Sequence, residues 1–222
     1  MNSIAETNVR NICKKLVDHT TSTNYHFGIL KMYIEDEDLK ESYIPRIEAH
    51  NNSSLNDRFP DSGFDLIVPE DTVFNKPFET TMIDFKIKTE MLYYIVDKEH
   101  FMNSAYYIHP RSSMSKLPLM LSNHTGVIDS GYRGSVKGAF RWFKTTEANN
   151  YFIERGTRLV QVCHPTLCPI YVILMDEEEL ATTSRGENGF GSTGTGLELN
   201  IAKHSDTEET ETETETETEK EA

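Results

Sequence analysis

The stretch HPRSSMSKLPLMLSNHTGVIDSGYRG, residues 109–134, decides how the rest of the chain is read. Leu117, Leu119 and Leu121 recur at every second position, the side-chain period of a half-buried strand. Gly126, Gly131 and Gly134 then bound a short run carrying Asp129 and Tyr132, which predicts a hairpin. Pro110-Arg111-Ser112-Ser113 opens the stretch as a turn offering one guanidinium and two hydroxyls. A soluble core has no need of Gly126, Asp129, Tyr132, Arg133 and Gly134 so close together. Chemistry on a phosphorylated ligand does.

Working outward, the same strand pattern recurs. Phe27–Ile34 and Asp61–Val68 read as strands, and Ile83, Phe85 and Ile87 alternate with Asp84, Lys86 and Lys88 as one further strand. Met91–Val96, Ala105–Ile108, Val136–Phe143, Arg158–Cys163 and Ile170–Met175 follow, separated by turns. Short strands at this spacing predict an all-β antiparallel sandwich or barrel, and the lack of a βαβ rhythm argues against parallel pairing.

Residues 1–27 form an N-terminal extension. Ser3 and Glu6 have capping-box spacing, and Val9, Ile12, Cys13, Leu16 and Val17 share one face of an amphipathic helix. That face suits packing on its own domain better than on a partner. Residues 35–61 are acidic and then Asn/Ser-rich, which is loop chemistry: an insertion or a lid. At the far end, Thr207–Glu219 is nearly a Thr-Glu repeat, which predicts a disordered tail over 197–222.

The formal charge is −14, of which −8 falls in 205–222, where nine acids face Lys220 alone. The remaining −6 is ordinary for a globule and includes no basic stripe, so a nucleic-acid polymer is not an expected partner. A small anion held by two or three arginines remains compatible with it. No signal peptide and no long apolar run is present, so the expectation is an intracellular, soluble protein with no membrane partner. Cys13, Cys163 and Cys168 are odd in number and lack a CxxC pair, which reads as buried reduced thiols. Cys163, His164 and Cys168 would need a further ligand cluster to form a metal site, and none is present in the sequence.

One more segment carries chemistry. Arg185–Gly194, RGENGFGSTG, is too glycine-rich for a helix or strand. Successive backbone N–H groups freed by glycine can nest around phosphate oxygens, with Ser192, Thr193 and Arg185 adding donors and Phe190 a ring for stacking. A flexible Gly/Ser segment would look similar. Asp129, likewise, is either a carboxylate capping its turn or a general base orienting a water.

Taken in order, Ser62–Leu66, Pro110–Ser113, Gly126–Gly134, Arg155–Gln161 and Arg185–Gly194 resemble the five-motif set of the homotrimeric dUTP pyrophosphatases, the dUTPases. The resemblance covers 28–196, with 185–196 as a C-terminal arm. It implies a distorted jelly-roll β-barrel, a homotrimer with sites at subunit interfaces, and dUTP as substrate. The implied reaction is hydrolysis to dUMP and pyrophosphate by attack on the α-phosphorus, which limits uracil in DNA and supplies dUMP.

By that resemblance Asp129 is the general base, and Tyr132 packs on deoxyribose and excludes a 2′-hydroxyl. Asn123 and the backbone of Gly126, Val127 and Ile128 read the uracil edge. Arg111, Ser112, Ser113 and Gln161 contact phosphates, and Asp65 acts on Mg2+ through its water shell. Phe190 stacks on uracil while Arg185, Gly191, Ser192, Thr193 and Gly194 close on the γ-phosphate, from a neighbouring subunit. Thr157 stands where the fourth motif often carries an aspartate. Two alternatives share the scaffold. A dCTP deaminase-like enzyme needs a glutamate after Gly134, and Ser135–Trp142 has no acid. A non-catalytic nucleotide-binding regulator would have lost Asp129 or the arm, and both are present.

Overall fold

The computed structural model describes residues 3–19, 26–144 and 147–189. In chain order the elements are α1 (Ser3–His19), β1 (His26–Ile34), α2 (Glu37–Asn56), β2 (Gly63–Ile67), β3 (Thr72–Phe74), β4 (Thr80–Asp84) and β5 (Ile87–Ile95). They continue as β6 (His100–Ser104), β7 (Tyr106–Pro110), β8 (Leu119–Leu121), β9 (Gly126–Ile128), β10 (Lys137–Trp142), β11 (Tyr151–Ile153), β12 (Arg158–Cys163) and β13 (Ile170–Leu174). The strands form sheets of order β13-β1-β5-β6, β4-β10-β8, β11-β3 and β2-β12-β7-β9. The fold class is therefore all-β, as the strand spacing predicts, with two helices added. The expected tail, and the arm beyond Gly189, lie outside the described residues.

The core explains the continuous apolar character of β1. Leu30, Met32 and Ile34 point into the main cluster with Leu66, Phe85, Phe140 and Val160, all essentially without solvent access. Phe27 and Ile29, on the opposite face, meet Val9, Cys13 and Leu16 of α1. A strand covered on both faces loses the alternation that a half-exposed one keeps. The α1 face packs on its own domain, as expected, although Val17 lies 39% exposed and outside that face. Each fully buried Phe or Leu here contributes about 1.5–3 kcal/mol.

Four sequence expectations are corrected. The 35–61 segment is not a loop: Glu37–Asn56 is a helix whose N-cap Asp36 accepts the Leu39 N–H at 2.7 Å. Leu39, Tyr43, Ile47, Asn51 and Ser54 recur every three to four residues on its buried face. The Asn and Ser residues that suggest a loop are used as edge-strand partners. Asn51 donates from Nδ2 to the Val172 carbonyl at 2.8 Å, and its Oδ1 accepts the Val172 N–H at 2.9 Å. Ser54 adds a bond to the Ile170 carbonyl. The outer strand β13 is thus closed by side-chain amides in place of a further strand.

Second, Ile83–Lys88 is not one strand. Asp84 Oδ1 accepts the Lys86 N–H at 2.9 Å, and Lys86 takes φ +57°, so the chain turns out of β4 and enters β5 in another sheet. Third, β1 and β13 pair in parallel, because they come from opposite ends of the barrel sequence and need no local crossover. Fourth, the Gly126–Gly134 segment is not a hairpin. Strand β9 pairs with β7, and after the turn at Asp129–Tyr132 the chain enters β10, which pairs with β4 and β8.

Among the described residues no helix is long and apolar enough to cross a membrane. The three cysteines are free and buried, and burial pushes the Cys163 thiol up to about 11. His164 beside it is 3% exposed and stacked on Tyr93 at 4.5 Å between ring centroids. Its Nε2 lies 3.0 Å from Ser104 Oγ and its Nδ1 2.8 Å from Thr166 Oγ1. Burial, aided by the nearby His26, lowers its pKa from 6.5 to about 4. The unfolded chain therefore binds a proton between these values that the folded chain does not. Stability supplied by neutral His164 is full above pH 6.5 and is lost as pH falls towards 4. Urea midpoints measured from pH 7 to 4.5 should fall, and His164→Gln should fall less steeply. Parallel profiles would contradict the assignment.

Candidate functional site

The register of one sheet assembles the first group of candidates. Across β2-β12-β7, Asp65 stands opposite Gln161, and Gln161 opposite His109. Arg111 follows just past the end of β7, where its N–H bonds to the Leu159 carbonyl at 2.9 Å. Pro110 holds this exit extended, and the next residues, Ser112–Lys116, make a short 3-10 turn. Gly63 lies at the base of the row. A Cβ there would meet Gln161 Oε1 and Cys163 Sγ, so the glycine makes room for the Gln161 side chain.

Asp65 joins the row to two cations. Its Oδ1 accepts from Arg111 Nε at 2.7 Å and its Oδ2 from Arg158 Nη1 at 3.0 Å. The carboxylate is three-quarters buried, so screening of these bonds is incomplete. Arg111 Nη1 also donates to Ser113 Oγ at 3.0 Å, which makes Ser113 a support for the guanidinium. Ser112 Oγ is exposed beside it. Arg158 is a partner that sequence reasoning missed, although it lies within the fourth motif; only its pairing with β2 across the sheet reveals it. Thr157 acts through its backbone, its carbonyl accepting the Val68 N–H at 2.8 Å.

These residues line a cleft of about 780 Å³, with Asp65, His109, Arg111, Ser112, Arg158 and Gln161 on the sheet side. The opposite wall is α2, through Arg46, Ala49, His50 and Ser53, and it was not foreseen from sequence. The signal was present: Leu39, Tyr43 and Ile47 at four-residue intervals behind the N-cap Asp36. Tyr43 fixes this wall by accepting the Ile67 N–H at 2.9 Å, and His50 Nε2 lies 2.9 Å from the Ile170 carbonyl. Burial lowers the His50 pKa below 6.5, so the wall is uncharged there at neutral pH.

The role expected for Asp65, on Mg2+ through a water shell, is compatible with its hydrogen bonds. Both oxygens are already held by guanidinium groups, which disfavours direct ligation of a divalent ion. Each carboxylate oxygen keeps a second lone pair, so a hydrogen bond from the water shell of an ion carried by phosphates still fits. Among the described residues no group of three His, Cys, Asp or Glu is placed to hold a metal.

The second group lies elsewhere. Asn123, Gly126, Val127, Ile128, Asp129, Tyr132 and Arg185 do not line the cleft. Asn123 and Val127 are exposed, and β9 is the outer strand of its sheet. Asp129 closes the following turn, its carbonyl accepting the Tyr132 N–H at 2.9 Å. Asp129 Oδ2 pairs with Arg185 Nη1 at 2.7 Å, which leaves Oδ1 open among the described residues. Tyr132 donates to the Ser135 carbonyl at 2.9 Å, and its ring fills the space that Gly134 and Gly189 leave. A Cβ at Gly134 would stand 2.6 Å from Tyr132 Oη.

The root of the arm, expected from a neighbouring subunit, is seated on its own chain. Tyr132 bridges Gly186, and Arg133 N–H bonds to the Gly186 carbonyl at 2.8 Å. Thr183 Oγ1 donates to the Gly131 carbonyl, and buried Arg133 Nε donates to that of Ala181 at 2.8 Å. Lys88 pairs with Glu187 at 2.6 Å. Phe190, Gly191, Ser192, Thr193 and Gly194 lie outside the described residues.

A family model described as dUTPase matches residues 54–194. The deoxyuridine 5′-triphosphate nucleotidohydrolase of Clostridium kluyveri is 33% identical over 137 residues, covering 61% of this chain and 85% of its own length. That of Mycobacterium marinum is 32% identical over 138 residues, covering 60% and 82%. Among solved structures, a Staphylococcus bacteriophage 80alpha dUTPase with dUpNHpp superposes with TM-score 0.36 and 22% identity, covering 60% of this chain and 86% of its own.

Removing Asp65 leaves two guanidinium groups without a counter-charge. Asp65→Ala should lower the unfolding free energy by about 1–3 kcal/mol, and Arg158→Ala, which keeps the Arg111 pair, by less. Urea denaturation of both variants checks this, and equal losses would contradict the shared clamp.

Proposed function

Since the chain belongs to the dUTPase family, we propose that it hydrolyses dUTP to dUMP and pyrophosphate, using the cleft for the triphosphate and the Asp129 turn for the nucleoside. The observation that carries this reading is the Arg111–Asp65–Arg158 clamp, which fixes two cations along a cleft on a chain of net charge −14. Fixed guanidinium groups match phosphate oxygens in charge and fork geometry. Arg111 and Ser112 meet the phosphate chain where leaving-group charge develops, Ser113 and Asp65 hold Arg111 in place, and Gln161 donates from the strand behind.

Asp129 accepts the proton of a water whose oxygen attacks the α-phosphorus. The bond from that phosphorus to the bridging oxygen breaks, and pyrophosphate leaves with the bonding electrons. The open Oδ1 of Asp129 is the acceptor, while Arg185 holds Oδ2. Tyr132, wedged between Gly134 and Gly189, offers its ring to the deoxyribose. Asn123 and the free edge of β9 over Gly126, Val127 and Ile128 bond to uracil. A site built to pair those groups rejects bases that leave them unpaired. By the family resemblance Phe190, Gly191, Ser192, Thr193 and Gly194 are the remaining nucleotide contacts of this reading.

Asp65 would contact the water shell of a magnesium ion held by the triphosphate, and such an ion would neutralise phosphate charge. The cleft and the Asp129 turn occupy separate places on one chain, which supports a homotrimer in which neighbouring subunits supply the two halves of each site. A soluble intracellular enzyme acting on free nucleotide fits this reading.

The test is a nucleotide panel with product identity. With magnesium, dUTP should give dUMP and pyrophosphate, and dTTP, dCTP and UTP should give none. Ammonia from dCTP, or dUTP binding without turnover, would contradict the proposal. Asp129→Asn should lower kcat by roughly 10²–10⁴-fold while dUTP affinity stays within a few-fold. An unchanged kcat would remove Asp129 from the role of base.

A further inference from the structure

Helix α2 carries Glu37, Asp38, Glu41 and Glu48 against Lys40 and Arg46, so its own charge is negative. Yet the stripe it turns to the cleft, at 46, 49, 50 and 53, bears one charged side chain, Arg46. The spacing is that of successive turns on one helix face, adjacent to the buried stripe through Tyr43 and Ile47. Ala49, small and exposed, is next along that stripe. Among the described residues the Arg46 side chain has no ion pair and no hydrogen bond, whereas Arg111 and Arg158 share Asp65. Asp61, the other acid of the lining, makes no ion pair with it. Nearly all of α2 precedes residues 54–194, so this wall is an addition to the matched family region.

We propose that Arg46 is a further phosphate-binding residue of the cleft, reaching the polyphosphate chain from the wall opposite Arg111 and Arg158. The proposal rests on the reading that the cleft takes a triphosphate. Arg46 is exposed and on a helix anchored at Tyr43 and Asn51, so it adds charge at fixed position without being needed for folding. It strengthens binding of ground state and transition state alike, and so acts on KM more than on kcat. Its ligand chemistry is that of linked phosphates, whether in a nucleotide or as free pyrophosphate.

The full chain is tested with two readouts. Arg46→Ala should raise KM for dUTP roughly tenfold with kcat within about twofold. Calorimetry with inorganic pyrophosphate should weaken by a similar factor, Arg46→Lys should recover part of the loss, and Arg46→Glu should exceed it. Lys40→Ala, on the same helix and paired with Glu37, is the control and should match wild type. Wild-type pyrophosphate affinity in Arg46→Ala, or a loss of kcat and Tm with that affinity intact, would overturn the proposal. So would a wild-type chain that does not bind pyrophosphate. Pyrophosphate binding that depends on Arg46, in a chain releasing no dUMP from dUTP, supports Arg46 and overturns the hydrolase reading instead.

Discussion

A single carboxylate, Asp65, holds two guanidinium groups, and the architecture of the cleft depends on that arrangement. Arg111 comes from the end of β7 and Arg158 from the start of β12, and unpaired they would repel one another across the sheet. Asp65 on β2 supplies the counter-charge to both. The cost of burying it three-quarters is offset by charge-assisted bonds to both oxygens. The cleft's cations are thereby already placed, so that a bound anion need not order them.

The clamp depends on β2, which pairs with β12 along its length and is tied to α2 at one point. Tyr43 ties α2 to the N–H of Ile67 at the end of β2, and Asn51 ties it to Val172 on β13. Loss of Asn51 would leave two strand-edge backbone groups unpaired, at about 1–3 kcal/mol each if they stay buried. One helix thus protects a sheet edge, anchors the strand bearing Asp65, and forms the wall that carries Arg46.

The sequence made the all-β class legible wherever strands alternate, as at Leu119–Leu121, although the expected strand start at Leu117 falls in the turn before it. It misled where two strands meet in one alternating run, because Asp84 and Lys86 make a turn without glycine or proline. Helix α2 was obscured by Asn51, Asn52, Ser53 and Ser54, residues that favour turns in isolation; here Asn51 and Ser54 bond to a strand far along the chain. The same non-locality hid Arg158: its significance is its 3.0 Å bond to a residue 93 positions earlier. Asp129, Tyr132 and Arg185 were legible as local glycine-bounded motifs, but the 2.7 Å pair between Asp129 and Arg185 was not. Single-sequence patterns report local geometry well and cross-sheet partners poorly.

Arg111 and Arg158 occupy both oxygens of Asp65, an arrangement that lets a metal reach it only through water. A crystal structure of the chain with α,β-imido-dUTP and Mn2+, using anomalous scattering to place the metal, tests it most directly. Phosphate oxygens should lie against Arg111 and Ser112, with both arginines still on Asp65 and the metal on the phosphates with only water between it and Asp65. A metal bonded to an Asp65 oxygen with Arg111 or Arg158 displaced would contradict it.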